Sequence, residues 1–233
     1  NNLGNATADG GDLVGGIARH EQALAIREQA LGGEHPAVAS SLSNLGMYLL
    51  RAGRAKEALA AQERALAIRE RVFAAGHPDV LESFNNLANA YKGMARPDEA
   101  LALYQRALAS LQGLPAEGEA VLRATLHYNA ATLYTARGEF AAAVAGHEQA
   151  MALFKQALGE RSVKYTYPLI GLADVRAAQG QLDEAARLKE QALAIRVEVL
   201  GEEHLEVASC MAELAALARS RGRLDEALRR DSE

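Results

Sequence analysis

One element recurs along this chain at a nearly constant step, and no other feature limits the fold as strongly. The strings GRAKEAL at Gly53, ARPDEAL at Ala95, GEFAAAV at Gly138, GQLDEAA at Gly180 and GRLDEAL at Gly222 follow one another at 42, 43, 42 and 42 residues, and GDLVGGI at Gly11 stands one period earlier. Self-similarity at this spacing belongs to a solenoid, in which each unit buries its apolar face only against its neighbours. The 233 residues are therefore expected to form one elongated body without a single core, and its business is expected to be binding.

Each period carries two amphipathic segments. The first, helix A, reads SNLGMYL at Ser43, NNLANAY at Asn85, YNAATLY at Tyr128, IGLADVR at Ile170 and AELAALA at Ala212. The second, helix B, runs from the repeated element through RALAIRE at Arg64, RALASLQ at Arg106, QAMALFK at Gln149 and QALAIRV at Gln191. Apolar residues recur three or four apart, and Leu59, Leu66 and Phe73 fall on one helix face, which is helix periodicity and not strand alternation. Abundant Ala and Leu, with no Trp and five Pro, agree with an all-α chain. Small residues hold one register in each helix: Gly46, Ala88, Ala131, Ala173 and Ala215 in A, and Gly16, Ala58, Ala100, Ala143, Ala185 and Ala227 in B. They mark where paired helices approach closely. Between repeats, Gly33-Glu34-His35-Pro36, Gly76-His77-Pro78-Asp79 and Gly201-Glu202-Glu203-His204 place Gly where a helix ends and, in the first two, Pro where the next begins. The loop Gly113-Leu114-Pro115-Ala116-Glu117-Gly118 holds the extra residue, so any irregular joint is expected there.

Helix A with a small residue after its Leu, followed by Gly-x-x-x-Glu-Ala in helix B, resembles the tetratricopeptide repeat. The 42-residue period and the Ala-Leu-Ala-Ile-Arg-Glu run before Gly-x-x-His-Pro resemble the kinesin light chain type of that repeat, a type also found in bacterial signalling proteins. The resemblance implies a right-handed superhelical α-solenoid of antiparallel helix pairs over residues 1–233. Its repeats would span 1–33 (partial), 34–75, 76–118, 119–160, 161–202 and 203–233 (partial). It also implies a concave face, built mainly from helices A, that holds a peptide or a partner's helix. Two units depart from the pattern: Gly15 stands for the usual Glu in the first, and Arg176 for Leu49, Tyr91 or Tyr134 in the fifth.

On helix A the residue before each core position reads Asn2, Asn44, Asn86 and Asn129, then Gly171 and Glu213. Residues three and four apart share a face, so Ser40, Ser43, Asn44, Met47 and Arg51 form one stripe. Glu82, Asn85, Asn86, Asn89 and Lys92 form the next, followed by Thr125, Tyr128, Asn129, Thr132 and Thr135. By the resemblance these stripes line the groove. An Asn amide both donates and accepts, so a ladder of them can grip a peptide backbone whatever its side chains; the alternative is that they cap or bridge neighbouring helices. The charged groove of chaperone-tail receptors, a set of Lys and Arg, is not matched, because those positions hold Ser40, Ser43, Glu82, Asn85, Thr125 and Tyr128.

Nothing points to an enzyme, a cofactor or a metal site. The run Gly10 to Gly16 lacks the Lys-Ser/Thr of a phosphate loop. His35, His77 and His204 sit at equivalent loop positions and read as structural punctuation. His20 and His147 are equivalent helix B residues, expected to be solvated or to pack, and His127 is expected in the core or at the groove edge. Cys210 reads as a small buried filler. The net charge of −5 without a Lys/Arg run argues against nucleic acid or an anionic membrane and for a neutral or modestly basic protein or peptide partner. A single cysteine fits a reducing compartment, and a cytoplasmic location is expected. Asn5-Ala6-Thr7 would act as a glycosylation site only on secretion. The chain starts and stops within repeats, so it reads as part of something longer. One form this could take is a regulatory arm of a bacterial kinase or nucleotide-dependent switch that docks on its own domains. End-to-end self-association through open repeat faces is also open to it.

Overall fold

The computed structural model describes residues 13–112 and 119–230, the side chains of 223–230 excepted. Among these residues there are ten helices and no strand: α1 (Leu13–Leu31), α2 (Pro36–Arg51), α3 (Ala55–Val72), α4 (Pro78–Gly93), α5 (Pro97–Ser110), α6 (Ala120–Ala136), α7 (Phe140–Leu158), α8 (Val163–Ala178), α9 (Leu182–Leu200) and α10 (Leu205–Arg230). The chain divides into two compact units, Asn1–Leu114 and Pro115–Glu233; the segment 113–118, where an irregular joint was expected, lies outside the described residues. In each unit successive helices pack in pairs, and helix A also touches a following helix A, α2 with α4 and α6 with α8. These A helices thus lie side by side within their unit.

The loop histidines have a definite task. His35 Nδ1 accepts the Ala37 N–H at 3.1 Å, His77 Nδ1 that of Asp79 at 3.2 Å, and His204 Nδ1 that of Glu206 at 3.2 Å. Ser162 Oγ does the same for Lys164 in the fifth repeat. Each satisfies one of the backbone donors that a helix start leaves open. The helix ends differ in detail from the sequence expectation. Gly32, not Gly33, adopts positive φ, and α3 ends at Val72 with Phe73 extended and stacked on His77 at 4.1 Å. Phe73 therefore lies outside the helix whose apolar face it was expected to extend.

The small residues behave as their register implies. Ala58, Ala100, Ala143 and Ala185 in the B helices and Ala88, Ala131 and Ala173 in the A helices are all fully buried. A Cβ at Gly46 would sit 2.5 Å from Gln62 Nε2. Large apolar side chains fill the space between, as in the cluster of Val38, Leu42, Ala61, Ala65 and Ile68.

The last repeat breaks the pattern. Helix α10 runs through Gly222, where the sequence places a turn, and Ala215 is exposed. The unbroken helix keeps the backbone hydrogen bonds that a turn at Gly222 would give up.

Candidate peptide-binding groove

In the first unit the expected stripe is split between surface and interior. Asn44 is half-buried and Met47 is 46% exposed, while Ser40 is half-buried with its Oγ donating to the Pro36 carbonyl. Ser43 is buried, and its carbonyl accepts from Gln62 Nε2 at 2.9 Å, so its place is in the helix interface. Arg51 is exposed, with its guanidinium 5.3 Å from the centre of the Tyr48 ring. On α4, Glu82 is exposed and lies 3.8 Å from Arg69, while Asn85, Asn86 and Asn89 are half-buried. Asn89 Oδ1 accepts from Tyr104 OH at 3.2 Å, so this amide does bridge two helices. Lys92 is half-buried, and burial lowers its pKa. Asn2 lies outside the described residues.

In the second unit the A layer opens into a groove of about 590 Å³ that crosses α6, α8 and α10. Tyr128, Thr132 and Thr135 form one wall; Tyr167, Gly171 and Asp174 lie across from them, and Ser209 and Glu213 come from α10. A smaller hollow of about 290 Å³ shares the Tyr128 and Tyr167 walls and includes Thr125 and Asn129. The rings of Tyr128 and Tyr167 stand 6.1 Å apart, and burial raises both phenol pKa values. The hydroxyls of Thr125, Thr132 and Thr135 each donate to the carbonyl four residues back, so their methyl groups contribute to the surface.

A second set of residues, on the B helices, does not stand out in the sequence. His20, Gln62, Tyr104, His147 and Lys189 occupy one register at steps of 42, 42, 43 and 42, and all five are buried. Each meets an A helix, and His147 and Lys189 reach between two of them. His20 stacks on Tyr48 at 4.8 Å, and Lys189 Nζ binds Asp174 at 2.8 Å and Glu213 at 2.6 Å. Burial pulls the Lys189 pKa down, but the two carboxylates outweigh it and hold it above the usual lysine value. His147 lies at the groove floor beneath Gly171, and burial pushes its pKa down to about 4. Of the two outcomes expected for His20 and His147, packing is therefore correct and solvation is not. The signal is present in the common register, but a position that reads His, Gln, Tyr, His, Lys has no hydropathy to reveal its burial.

A third register carries arginine. Arg69 donates to the Asp79 carbonyl at 3.0 Å and to Ser83 Oγ at 2.7 Å, and Arg196 donates to Thr166 Oγ1 at 2.9 Å and the Glu206 carbonyl at 3.2 Å. Arg27 does likewise to Ala37 and Ser41. Leu111 and Phe154 take this place in the other two repeats and are buried as apolar fillers. These arginines clasp the start of the following helix A. Cys210 is fully buried, and burial raises its thiol pKa, which suits a filler and not a nucleophile. Among the described residues no cluster of His, Cys, Asp or Glu could hold a metal ion, and no helix is long and apolar enough to cross a membrane.

Within each unit every helix packs on its successor, and an all-helical array of such pairs defines a repeat scaffold. The tetratricopeptide repeat model matches residues 1–71, 39–113, 122–196 and 165–231, and the chain belongs to this family. Similar solved structures include repeats of the kinesin light chain type. A Podosopora anserina protein described as a kinesin light chain of nearly identical TPR-like repeats is 28% identical, with a TM-score of 0.70 over 85% of this chain and 94% of that one. BtubC (BKLC) from P. vanneervenii is 25% identical, with a TM-score of 0.73 over 85% of this chain and 79% of its own. MamA, at 17% identity and a TM-score of 0.57 over 84% of this chain and 95% of its own, shares the fold. No curated protein matches the chain. Tetratricopeptide repeats generally mediate protein–protein interaction, and the family is generally a non-enzymatic scaffold.

Proposed function

We propose that this chain is a protein-interaction module without catalytic activity, and that it holds a peptide or a partner's helix against the face formed by its A helices. The observation that carries this is the groove of about 590 Å³ across α6, α8 and α10, where aromatic rings, hydroxyls and charged groups from three successive repeats converge. Such a mixture supplies both buried apolar area and orienting polar groups, as a binding site requires. In the first unit the half-buried amides of Asn44 and Asn86 hold the matching register. Each amide hydrogen bond contributes roughly 0.5–1.5 kcal/mol net, against roughly 4 kcal/mol or more lost on association. Amides alone are too weak, so the Tyr128 and Tyr167 rings are assigned the main share of affinity.

A random peptide library panned against the wild-type chain, and against Asn44→Ala/Asn86→Ala/Asn129→Ala and Tyr128→Ala/Tyr167→Ala variants, tests this. Peptides captured by the wild type should be lost from the tyrosine variant and weakened by the asparagine variant. Undiminished capture by both, with circular dichroism melts like the wild type, would rule the A face out as the binding surface.

A further inference from the structure

The groove of the second unit has a definite sign. Its cations lie underneath: the Arg196 and Lys189 side chains are 6% and 7% exposed. The carboxylates around them stand further out, Asp174 at 53%, Glu206 at 34% and Glu213 at 39%. Three carboxylates against two cations, with the cations below, present a negative surface to an arriving chain. The Tyr128 ring beside them attracts cations as well, whereas Tyr167 already holds the Arg196 guanidinium 5.4 Å from its ring centre.

A separate observation points to a guest. His147 is fully buried, lines this groove, and neither Nδ1 nor Nε2 has a hydrogen-bond partner within the protein. A buried polar group left so is costly, which makes it a place where an incoming donor or acceptor gains most. The neighbouring sequence departs from its own pattern to seat this ring. A Cβ at Gly171 would lie 2.3 Å from the imidazole, and Gly171 stands where Asn44, Asn86 and Asn129 stand in other repeats.

We propose that the groove of the second unit takes a peptide bearing an arginine or lysine side chain. Its cation is held by Asp174 and Glu213 and by the ring of Tyr128, and the guest lies across the floor formed by Gly171 and His147. This rests on the groove assignment above and names the chemistry of its occupant. Acidic peptides are disfavoured by the same rim, because like charges brought together in a partly dehydrated site repel.

The test uses the full chain and short fluorescein-labelled peptide pools, random in Gly, Ser and Ala around either a fixed Arg pair or a fixed Glu pair, read by fluorescence anisotropy. Thr132→Lys and Ser209→Lys add cations at exposed groove positions and leave the Lys189 cluster intact. The arginine pool should bind at least about tenfold more tightly than the glutamate pool, weaken with salt, and lose about tenfold on either substitution. Preference for the glutamate pool, strengthened by Thr132→Lys, would overturn the charge assignment and leave the groove assignment standing. Binding of neither pool, or binding indifferent to Thr132→Lys, Ser209→Lys and Tyr167→Ala alike, would overturn both.

Discussion

Two single residues carry consequences that their neighbours in register make plain. At the turn from helix A to helix B, Gly53, Gly138 and Gly180 adopt φ of 75°, 74° and 77°, and Ala95 is forced to 55° in the third repeat. A left-handed conformation costs an L-residue roughly 1–2 kcal/mol, part of which glycine gives back through its freer unfolded chain. Ala95→Gly should therefore stabilise the protein by about 0.5–1 kcal/mol, visible as a higher urea midpoint; an unchanged or lower midpoint would mean that this turn carries no strain. His147 is the second. Its folded pKa of about 4 lies below the usual 6.5, so the unfolded chain takes up a proton first as the pH falls. The stability this group allows is present above pH 6.5 and is lost on acidification towards pH 4, by roughly 3 kcal/mol at about 1.36 kcal/mol per unit. His147→Gln, which copies the residue in register at Gln62, should flatten the fall of melting temperature over that window; parallel curves for the two proteins would contradict it.

At the scale of the helix, contact is decided by what one element leaves room for in the next. Gly171 of α8 admits His147 of α7, so Gly171→Ala should destabilise by roughly 1–3 kcal/mol through overpacking. If the imidazole is the obstacle, the loss should largely vanish in Gly171→Ala/His147→Ala compared with His147→Ala alone, a coupling that a double-mutant cycle measures. Additive losses would place the strain elsewhere. The helices themselves were legible because their signal is local: apolar spacing, proline at the start, and an acceptor side chain just before it. Their ends were legible to within a residue or so, but Phe73 and Gly222 were misplaced. Phe73 lies past its helix end and stacks on the His77 ring, and Gly222 is a turn only if a following segment has enough surface to bury.

Among the described residues the buried apolar side chains form separate clusters, so a defect should stay near its origin. Ala100 is fully buried in α5, and Ala100→Leu should cost about 1–3 kcal/mol by overpacking. In hydrogen exchange the loss of protection is expected in α4 and α5 and not in α8 or α9, since each repeat couples only to its neighbours. A uniform loss along the chain would mean that the array folds as one cooperative block. The division at Leu114 and Pro115 falls where the repeat step lengthens to 43.

The period, the helix pairs, the close-packed alanines and the histidine punctuation were all determined by the sequence itself, because each is a local pattern that successive repeats restate. The asparagine register was visible too, but stripes drawn along single helices could not say which residues share a groove. That groove is crossed by Tyr128, Tyr167, Asp174 and Glu213 from three successive A helices, with His147 beneath them from a B helix. Only tertiary structure brings them together, for a physical reason: the sequence records periodicity along each helix, whereas the groove depends on how far each B-helix side chain reaches between the A helices. That reach is set by side-chain length and by the space the facing residue leaves.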